Sequence, residues 1–206
     1  GGETAAMPGL YAEKTFDLAG TIIGVVEEDQ AMHGAAIVPG DVLIAYEASG
    51  LHTNGYTLAR RVLLDVMGLA LDATLPGGDV TVADALLAVH RSYVAAIKPA
   101  LPQIHGLAHI TGGGIAGNLV RVLPEGCEAV VDPRSWEWPL LCRVIAKGGR
   151  VDLAEMRDVF NLGVGMIAAV PAASVDAVRQ TATAAGVPTW VCGSVRAGPT
   201  RVVFAD

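Results

Sequence analysis

HITGGGIAGNLVR, residues 109–121, combines three consecutive glycines with apolar residues that recur at helical spacing from residue 115 onward. Because glycine readily adopts positive φ, the triplet at 112–114 predicts a tight turn with successive N–H groups exposed, followed by a helix. The unpaired N–H groups and the positive end of the helix dipole at such a turn suit a phosphate. The alternative is a turn that only lets the helix pack against a strand, and this stretch alone favours neither.

A second loop carries another group of polar residues. The apolar run 41–46 predicts a buried strand, 47–56 (EASGLHTNGY) is a polar loop after it, and 57–66 predicts an amphipathic helix. In open α/β sheets, ligand sites commonly lie where a strand ends in such a loop. His52 and Asn54 place a titratable ring and an amide there. Each also has an ordinary structural interpretation, as a turn histidine bonded to nearby backbone and as a residue tolerant of left-handed geometry.

The rest of the chain predicts further strands and helices with no internal repeat. Residues 27–39 are interpreted as a polar connection between domains. Strands are predicted at 16–26, 127–131, 167–170, 190–194 and 201–204, and helices at 82–88, 136–147, 152–160 and 172–186, with helical spacing also over 89–100.

Composition and charge limit which classes of protein this chain can belong to. The 206 residues are 52% hydrophobic and 17% charged, with 25 glycines and 11 prolines, which predicts a well-packed globular protein with many tight turns. A net charge of −7 without any basic run argues against nucleic-acid binding, although it allows an anionic metabolite. Asp65 and Asp72 interrupt the most apolar region, so no segment is predicted to span a membrane.

The cysteines and the start of the chain bear on location and completeness. Cys127, Cys142 and Cys192 are scattered, which favours buried free thiols in a reducing cytoplasm over disulfides or zinc. The chain begins without Met, inside what reads as a motif, and this favours a fragment of a longer protein. Glu3 and Thr4 in that motif offer a carboxylate and a hydroxyl to a metal–phosphate complex; the alternative is an ordinary solvated turn.

Six motifs occur in an order that resembles a known family. They are GGETAAMPG at 1–9, SGLHTNGYTLARRVL at 49–63, HITGGGIAGNLVRVLP at 109–124, SWEWP at 135–139, EMRDVFNLGVGM at 155–166 and RVVF at 201–204. In order and spacing they resemble the aminoimidazole ribonucleotide synthetases, which are phosphoribosylformylglycinamidine cyclo-ligases. The resemblance extends over nearly the whole chain.

The resemblance implies a fold and a reaction. Residues 1–28 would be the tail of an N-terminal ATP-binding domain, and 29–206 a C-terminal domain of the α+β class, with three α/β/α layers and a mixed sheet. The family uses ATP, with Mg²⁺, to close the ring of formylglycinamidine ribonucleotide, a small-molecule substrate, and gives aminoimidazole ribonucleotide, ADP and phosphate. It forms homodimers through the N-terminal domain. That domain also carries the nucleotide loop and the acidic metal ligands, so this chain alone is expected to be inactive.

The resemblance also implies roles for individual residues. Glu3 would bind the metal and Thr4 the nucleotide phosphates. His52 and Asn54 would be catalytic, and His52 is the best candidate for proton transfer because its unperturbed pKa is near neutrality. The residues expected to bind substrate or its phosphate are Ser49, Gly50, Thr111, Gly112, Gly113 and Gly114.

Three positions depart from the family's usual pattern. Ala6 stands where the family has Glu, Val89-His90 where it has Pro-Thr, and Thr53 where it has Ser. Two alternatives therefore stay open: a paralogue that acts on another ATP-activated substrate, and a non-catalytic phosphate-binding module. Hydrogenase-maturation and thiamine-phosphate kinase proteins of the same superfamily rank lower, because they lack the HITGGG and FNxGxGM motifs in this form.

Overall fold

The computed structural model describes residues 20–205, and a six-stranded sheet is the element around which its helices pack. The chain divides into two units, 1–31 and 32–206. Every pair of neighbouring strands in the sheet is antiparallel except β3 and β6, which are parallel, so the sheet is mixed as expected. In the order β2-β4-β1-β5-β3-β6, the strands are β1 Val42–Glu47, β2 Gly106–His109, β3 Cys127–Val131, β4 Val164–Val170, β5 Thr189–Ala197 and β6 Arg201–Phe204.

Seven α-helices surround the sheet in the described part of the chain. They are α1 Tyr56–Arg60, α2 Val82–Leu86, α3 Val94–Ile97, α4 Gly114–Leu119, α5 Leu140–Gly149, α6 Leu153–Val159 and α7 Val175–Ala184. A π-helix, Arg61–Val66, continues α1. Short 3-10 helices lie at Glu28–Gln30, Lys98–Gln103, Val120–Val122, Pro133–Ser135 and Ala172–Ser174. No helix within residues 20–205 has the length and apolarity needed to cross a bilayer.

Both faces of the sheet are covered by helices. Side chains alternate along a strand, so Leu43 and Ala45 of β1 pack on the side of α4, while Ile44 and Tyr46 pack against α3 and α7. Burial on both faces explains why this strand is apolar throughout. The expected α+β class with helical layers on either side of a mixed sheet is confirmed. A third apolar cluster joins α1, α2, α5 and α6.

Two predicted elements differ from the structure because of proline. The helix predicted from residue 136 begins at Leu140, since Pro139 is extended, with ψ 149°, and disfavours helix in the residue before it. The helix ends at Gly149, within the Gly148-Gly149 pair that was predicted to end it. Helical spacing over 89–100 gives only the short α3, because Pro99 and Pro102 turn the following residues into a 3-10 helix.

The strand predicted at 16–26 is wrong for its described part. Residues 20–26 form no strand, and Ile22, Ile23 and Val25 are 94%, 89% and 96% exposed. No described strand pairs with this segment, so its β-branched residues have no sheet to join. Residues 16–19 lie outside the described range.

Candidate functional site

Two loops meet at one edge of the sheet. Strands β1 and β2 are each antiparallel to β4, so they run parallel to each other and both end at the same edge. The loop after β1 contains Ser49, His52 and Asn54, and the loop after β2 contains the glycine turn. The Asn54 side-chain oxygen accepts a hydrogen bond of 3.0 Å from the backbone N–H of Gly112. Sheet topology therefore brings together two groups that the sequence predicts separately.

The His52 loop is held in uncommon backbone geometry. His52 and Thr53 have φ of 50° and 67°, in the left-handed region that non-glycine residues rarely occupy. Such residues cost about 1–3 kcal/mol each and persist where surrounding contacts determine them, often at functional sites. The His52 ring is 2% exposed, and its Nε2 lies 3.0 Å from the Ser49 N–H and 3.1 Å from the Ser49 hydroxyl. The same hydroxyl donates to the Val89 carbonyl at 2.7 Å.

The environment of His52 keeps its imidazole neutral. Burial, followed by the nearby His90, His109 and Arg91, lowers the pKa of His52 to about 4. Proton transfer by His52 stays a prediction, but its folded-state pKa lies below the near-neutral unperturbed value on which that prediction was based. Because Nε2 accepts the Ser49 N–H, the ring proton sits on Nδ1, which is buried and has no hydrogen-bond partner among the described residues.

His52 belongs to a cluster of three histidines. The His90 ring stacks on the His52 ring with centroids 3.9 Å apart and planes 16° apart, and the His109 ring lies 5.3 Å from the His90 ring. One ring nitrogen from each of the three lies within 4.8 Å of the others. Burial and the His90 ring also lower the pKa of His109. Sequence analysis missed His90 and His109 as site residues, because only the fold shows that three separate segments bring imidazoles together.

The glycine turn has the predicted backbone conformation. Gly113 and Gly114 have φ of 90° and 59°, and a Cβ at Gly114 would lie 1.7 Å from the Arg157 carbonyl oxygen. Two of the backbone N–H groups of this turn already have hydrogen-bond partners. That of Gly112 bonds Asn54, and that of Gly114 bonds the Thr111 carbonyl at 3.1 Å. The prediction of successive exposed N–H donors is thus wrong for these two.

Asn118 supports the turn from inside. Its side-chain nitrogen donates to the carbonyls of Thr111, Gly112 and Gly114 at 3.2, 3.2 and 2.7 Å. Its oxygen accepts from the Thr111 hydroxyl at 3.0 Å, and the residue is only 5% exposed. Asn118 lies within the stretch that predicts the turn. The sequence signal that could have identified Asn118 is an amide side chain at the fourth residue of the predicted helix.

A cleft of about 470 Å³ adjoins the His52 loop. Its lining includes the Arg91–Glu47 ion pair (3.0 Å) and two tryptophans, Trp136 and Trp190, with ring centroids 6.1 Å apart. The Tyr93 hydroxyl donates to the Glu47 carbonyl at 2.8 Å and lies against Gly165 of β4. A Cβ at Gly165 would lie 1.8 Å from that hydroxyl oxygen and 2.9 Å from His52 Cε1, so this glycine makes room for both rings.

The remaining predicted site residues are Gly50, Glu3 and Thr4. The Gly50 carbonyl accepts from the Asn161 side chain at 2.8 Å, which is a packing role in the loop. Glu3 and Thr4 lie outside the described residues. Among residues 20–205, the three histidines are the one cluster of three or more side chains that could hold a metal ion. Imidazole does not suit Mg²⁺, which prefers oxygen ligands. The expected Mg²⁺ ligand, Glu3, lies outside the described residues, so Mg²⁺ binding stays a prediction.

Known proteins similar to this chain belong to the family that the sequence motifs resemble. The family model for AIR synthase related protein, C-terminal domain, matches residues 38–206. A phosphoribosylformylglycinamidine cyclo-ligase of Geotalea daltonii is 46% identical over 197 residues, covering 95% of this chain and 57% of the relative. That of Myxococcus xanthus is 47% identical over 200 residues, covering 96% and 58%. The chain thus spans somewhat over half the length of these relatives.

Solved structures share the fold at low identity. Thiamine-monophosphate kinase from Stenotrophomonas maltophilia superposes with a TM-score of 0.59 at 17% identity, covering 87% of this chain and 54% of that one. The hydrogenase maturation protein HypE of E. coli gives 0.54 at 18%, covering 84% and 48%. These likenesses show the fold alone.

Proposed function

We propose that this chain forms the substrate-binding part of a phosphoribosylformylglycinamidine cyclo-ligase, because it belongs to the AIR synthase related family and carries its C-terminal domain. The reaction would be ATP-dependent ring closure of formylglycinamidine ribonucleotide to aminoimidazole ribonucleotide, ADP and phosphate. The relatives' name and the ordered motifs support this reaction. The full-length protein would be a cytoplasmic homodimer, as the resemblance implies.

The hydrogen bond between Asn54 and Gly112 carries the proposal. It joins the His52 loop to the glycine turn, so a ribonucleotide could contact both at once. We assign the 5′-phosphate to the Thr111–Gly114 turn, where the Gly113 N–H would donate to it while the Asn54–Gly112 bond stays in place. The reacting end of the substrate would then lie over Ser49, His52 and Asn54.

The chemistry of this surface suits orientation rather than strong base catalysis. ATP supplies the activation of the formyl oxygen, and its site would lie in the domain to which residues 1–28 belong, with Glu3 and Thr4 facing metal and phosphates. On this side, His52 is neutral, and Asn54 and Ser49 are neutral polar groups. Neutral polar groups of this kind orient a substrate and exclude water without placing a further charge beside the reacting atoms.

Turnover tests the proposal when an N-terminal half from a relative is supplied. The N-terminal half of the Geotalea daltonii relative is fused ahead of residue 1, and ADP release is measured with formylglycinamidine ribonucleotide; the intact relative is the positive control. Ribonucleotide-dependent ADP release supports a cyclo-ligase. Substrate binding without turnover would select the non-catalytic module, in line with the loss of the family's Glu at Ala6. ADP release with other ribonucleotides only would select the paralogue.

A further inference from the structure

We propose that His52, His90 and His109 form a binding site for a transition-metal ion of the zinc class. These are three of the five histidines in the chain, and they come from three separate segments. One nitrogen of each lies within 4.8 Å of the other two. The inference stands on this geometry and does not depend on the proposed reaction, because binding is measured without substrate.

The histidines are held in the form that binds metal. A metal displaces protons from its ligands, so only the neutral imidazole coordinates. Burial lowers the pKa of both His52 and His109, and their mutual proximity with His90 acts in the same direction. Both shifts favour the neutral imidazole, which is the form that coordinates a metal.

His52 brings a buried nitrogen that lacks a partner. The residue is 2% exposed, and no described group hydrogen-bonds its Nδ1. An unsatisfied buried polar atom is unfavourable, and a ligand at this atom would satisfy it. When Nδ1 binds the ion, the ring proton moves to Nε2, which then gives up its 3.0 Å bond from the Ser49 N–H and faces the Ser49 hydroxyl at 3.1 Å. That hydroxyl can accept this proton while donating to Val89, as partners of ligating histidines commonly do.

Binding requires a modest closure of the cluster. Zinc–nitrogen bonds of about 2.0–2.1 Å place tetrahedral ligands about 3.4 Å apart, closer than the present limit of 4.8 Å. His90 must also turn out of its stack on His52, because the in-plane lone pairs of stacked rings do not converge. His90 lies in residues 88–93, which have no helix or strand, so its side chain can turn without breaking regular structure.

The ligand set selects the ion. Three imidazoles without a carboxylate suit Zn²⁺, Co²⁺, Ni²⁺ or Cu²⁺ and not Mg²⁺ or Ca²⁺. Three protein ligands leave a fourth position for water or for an oxygen of a bound molecule.

Metal titrations of the 206-residue chain test the site. Co²⁺ is followed by its visible absorption and Zn²⁺ by calorimetry at pH 7.5, with Mg²⁺ as a third arm. We expect one Co²⁺ or Zn²⁺ per chain and no Mg²⁺ binding. The variants are H90T and H109N, which leave the buried His52 in place, and the control is H33N, which removes an exposed histidine outside the cluster. Circular dichroism verifies that each variant is folded.

The variants decide between a site and adventitious binding. H90T and H109N should each weaken Co²⁺ and Zn²⁺ binding by about tenfold or more, as losses around metal sites do, while H33N should bind as the parent does. Absence of Co²⁺ and Zn²⁺ binding in the parent overturns the proposal. So does binding that H90T leaves unchanged, or binding that H33N abolishes.

Discussion

The side-chain oxygen of Asn54 accepts a 3.0 Å hydrogen bond from the backbone N–H of Gly112, across 58 positions of sequence. The Asn54 amide nitrogen donates to the His52 carbonyl at 2.9 Å, so one side chain spans both loops. No other described side chain hydrogen-bonds the two loops together, so Asn54 is the side chain that links the glycine turn to the His52 loop.

Replacing Asn54 with alanine should weaken ribonucleotide binding more than it weakens the fold. One lost hydrogen bond of about 0.5–1.5 kcal/mol corresponds to roughly a two- to tenfold higher Kd for formylglycinamidine ribonucleotide. The contact is solvent-exposed, so the free energy of unfolding should change by less than about 1 kcal/mol. Calorimetry and urea unfolding measure the two quantities. The exposed Ser92→Ala is the control, and equal binding by both variants would contradict the assignment of Asn54 to the site.

Asn118→Ala should destabilise the protein strongly. The change leaves three carbonyls and the Thr111 hydroxyl without their partner inside the turn, and unsatisfied buried groups cost about 1–3 kcal/mol. Thr111→Val removes only one of these bonds and should cost about 1 kcal/mol. Urea unfolding checks the order. A Thr111→Val variant less stable than Asn118→Ala would show that the hydroxyl, and not the amide, organises the turn.

Gly165→Ala and Gly117→Ala should have opposite effects on stability. A methyl at Gly165 overlaps the Tyr93 hydroxyl and the His52 ring, and overpacking of this kind costs about 1–3 kcal/mol. Nothing lies within 4 Å of a Cβ at Gly117 in α4, so alanine there should stabilise by about 0.5–1 kcal/mol through backbone entropy. Thermal unfolding compares the two. Equal Tm values would mean that β4 shifts freely and that His52 is not confined by it.

Glu128 should make the stability of the protein depend on acid pH. Hydrogen bonds from Arg201 and then Arg196 lower the pKa of this buried carboxylate. A lowered folded-state pKa gives stability that is present above the unfolded value, near 4.5, and lost as pH falls through the folded value. Glu128→Gln should therefore be less stable than the parent at pH 7, with the difference shrinking as pH falls below about 4.

Urea unfolding at pH 7 and pH 3 measures that difference, with the exposed Glu125→Gln as control. We expect Glu125→Gln to match the parent closely at pH 7. A Glu128→Gln effect that stayed constant between the two pH values would show that packing, and not charge, holds this carboxylate between the arginines.

Periodicity predicted most of the sheet, and its failures have physical causes. Apolar strands such as β1 and β3 are buried on at least one face, so their composition alone identifies them. Residues 20–26 have the same composition and no strand, because strand formation needs a partner that the local sequence does not specify. Pro139 moved the start of α5 through backbone geometry that an apolar pattern does not record.

The site was predictable only in part. The motifs located Ser49, His52, Asn54 and the glycine turn, and topology brought them together. The low pKa of His52, the bonds that occupy the Gly112 and Gly114 N–H groups, and the support from Asn118 depend on burial and long-range packing. His90 and His109 join the cluster only once β2 and the segment before α3 are folded.

Binding of formylglycinamidine ribonucleotide to this chain, compared with its dephosphorylated nucleoside, tests the central claim most directly. If the loops joined by Asn54 and Gly112 hold the substrate through its phosphate, calorimetry should show saturable binding of the ribonucleotide. The nucleoside should then bind much more weakly, and Gly113→Val should remove the difference. Equal binding of both compounds, or no binding of either, would contradict the claim that these two loops form a ribonucleotide site.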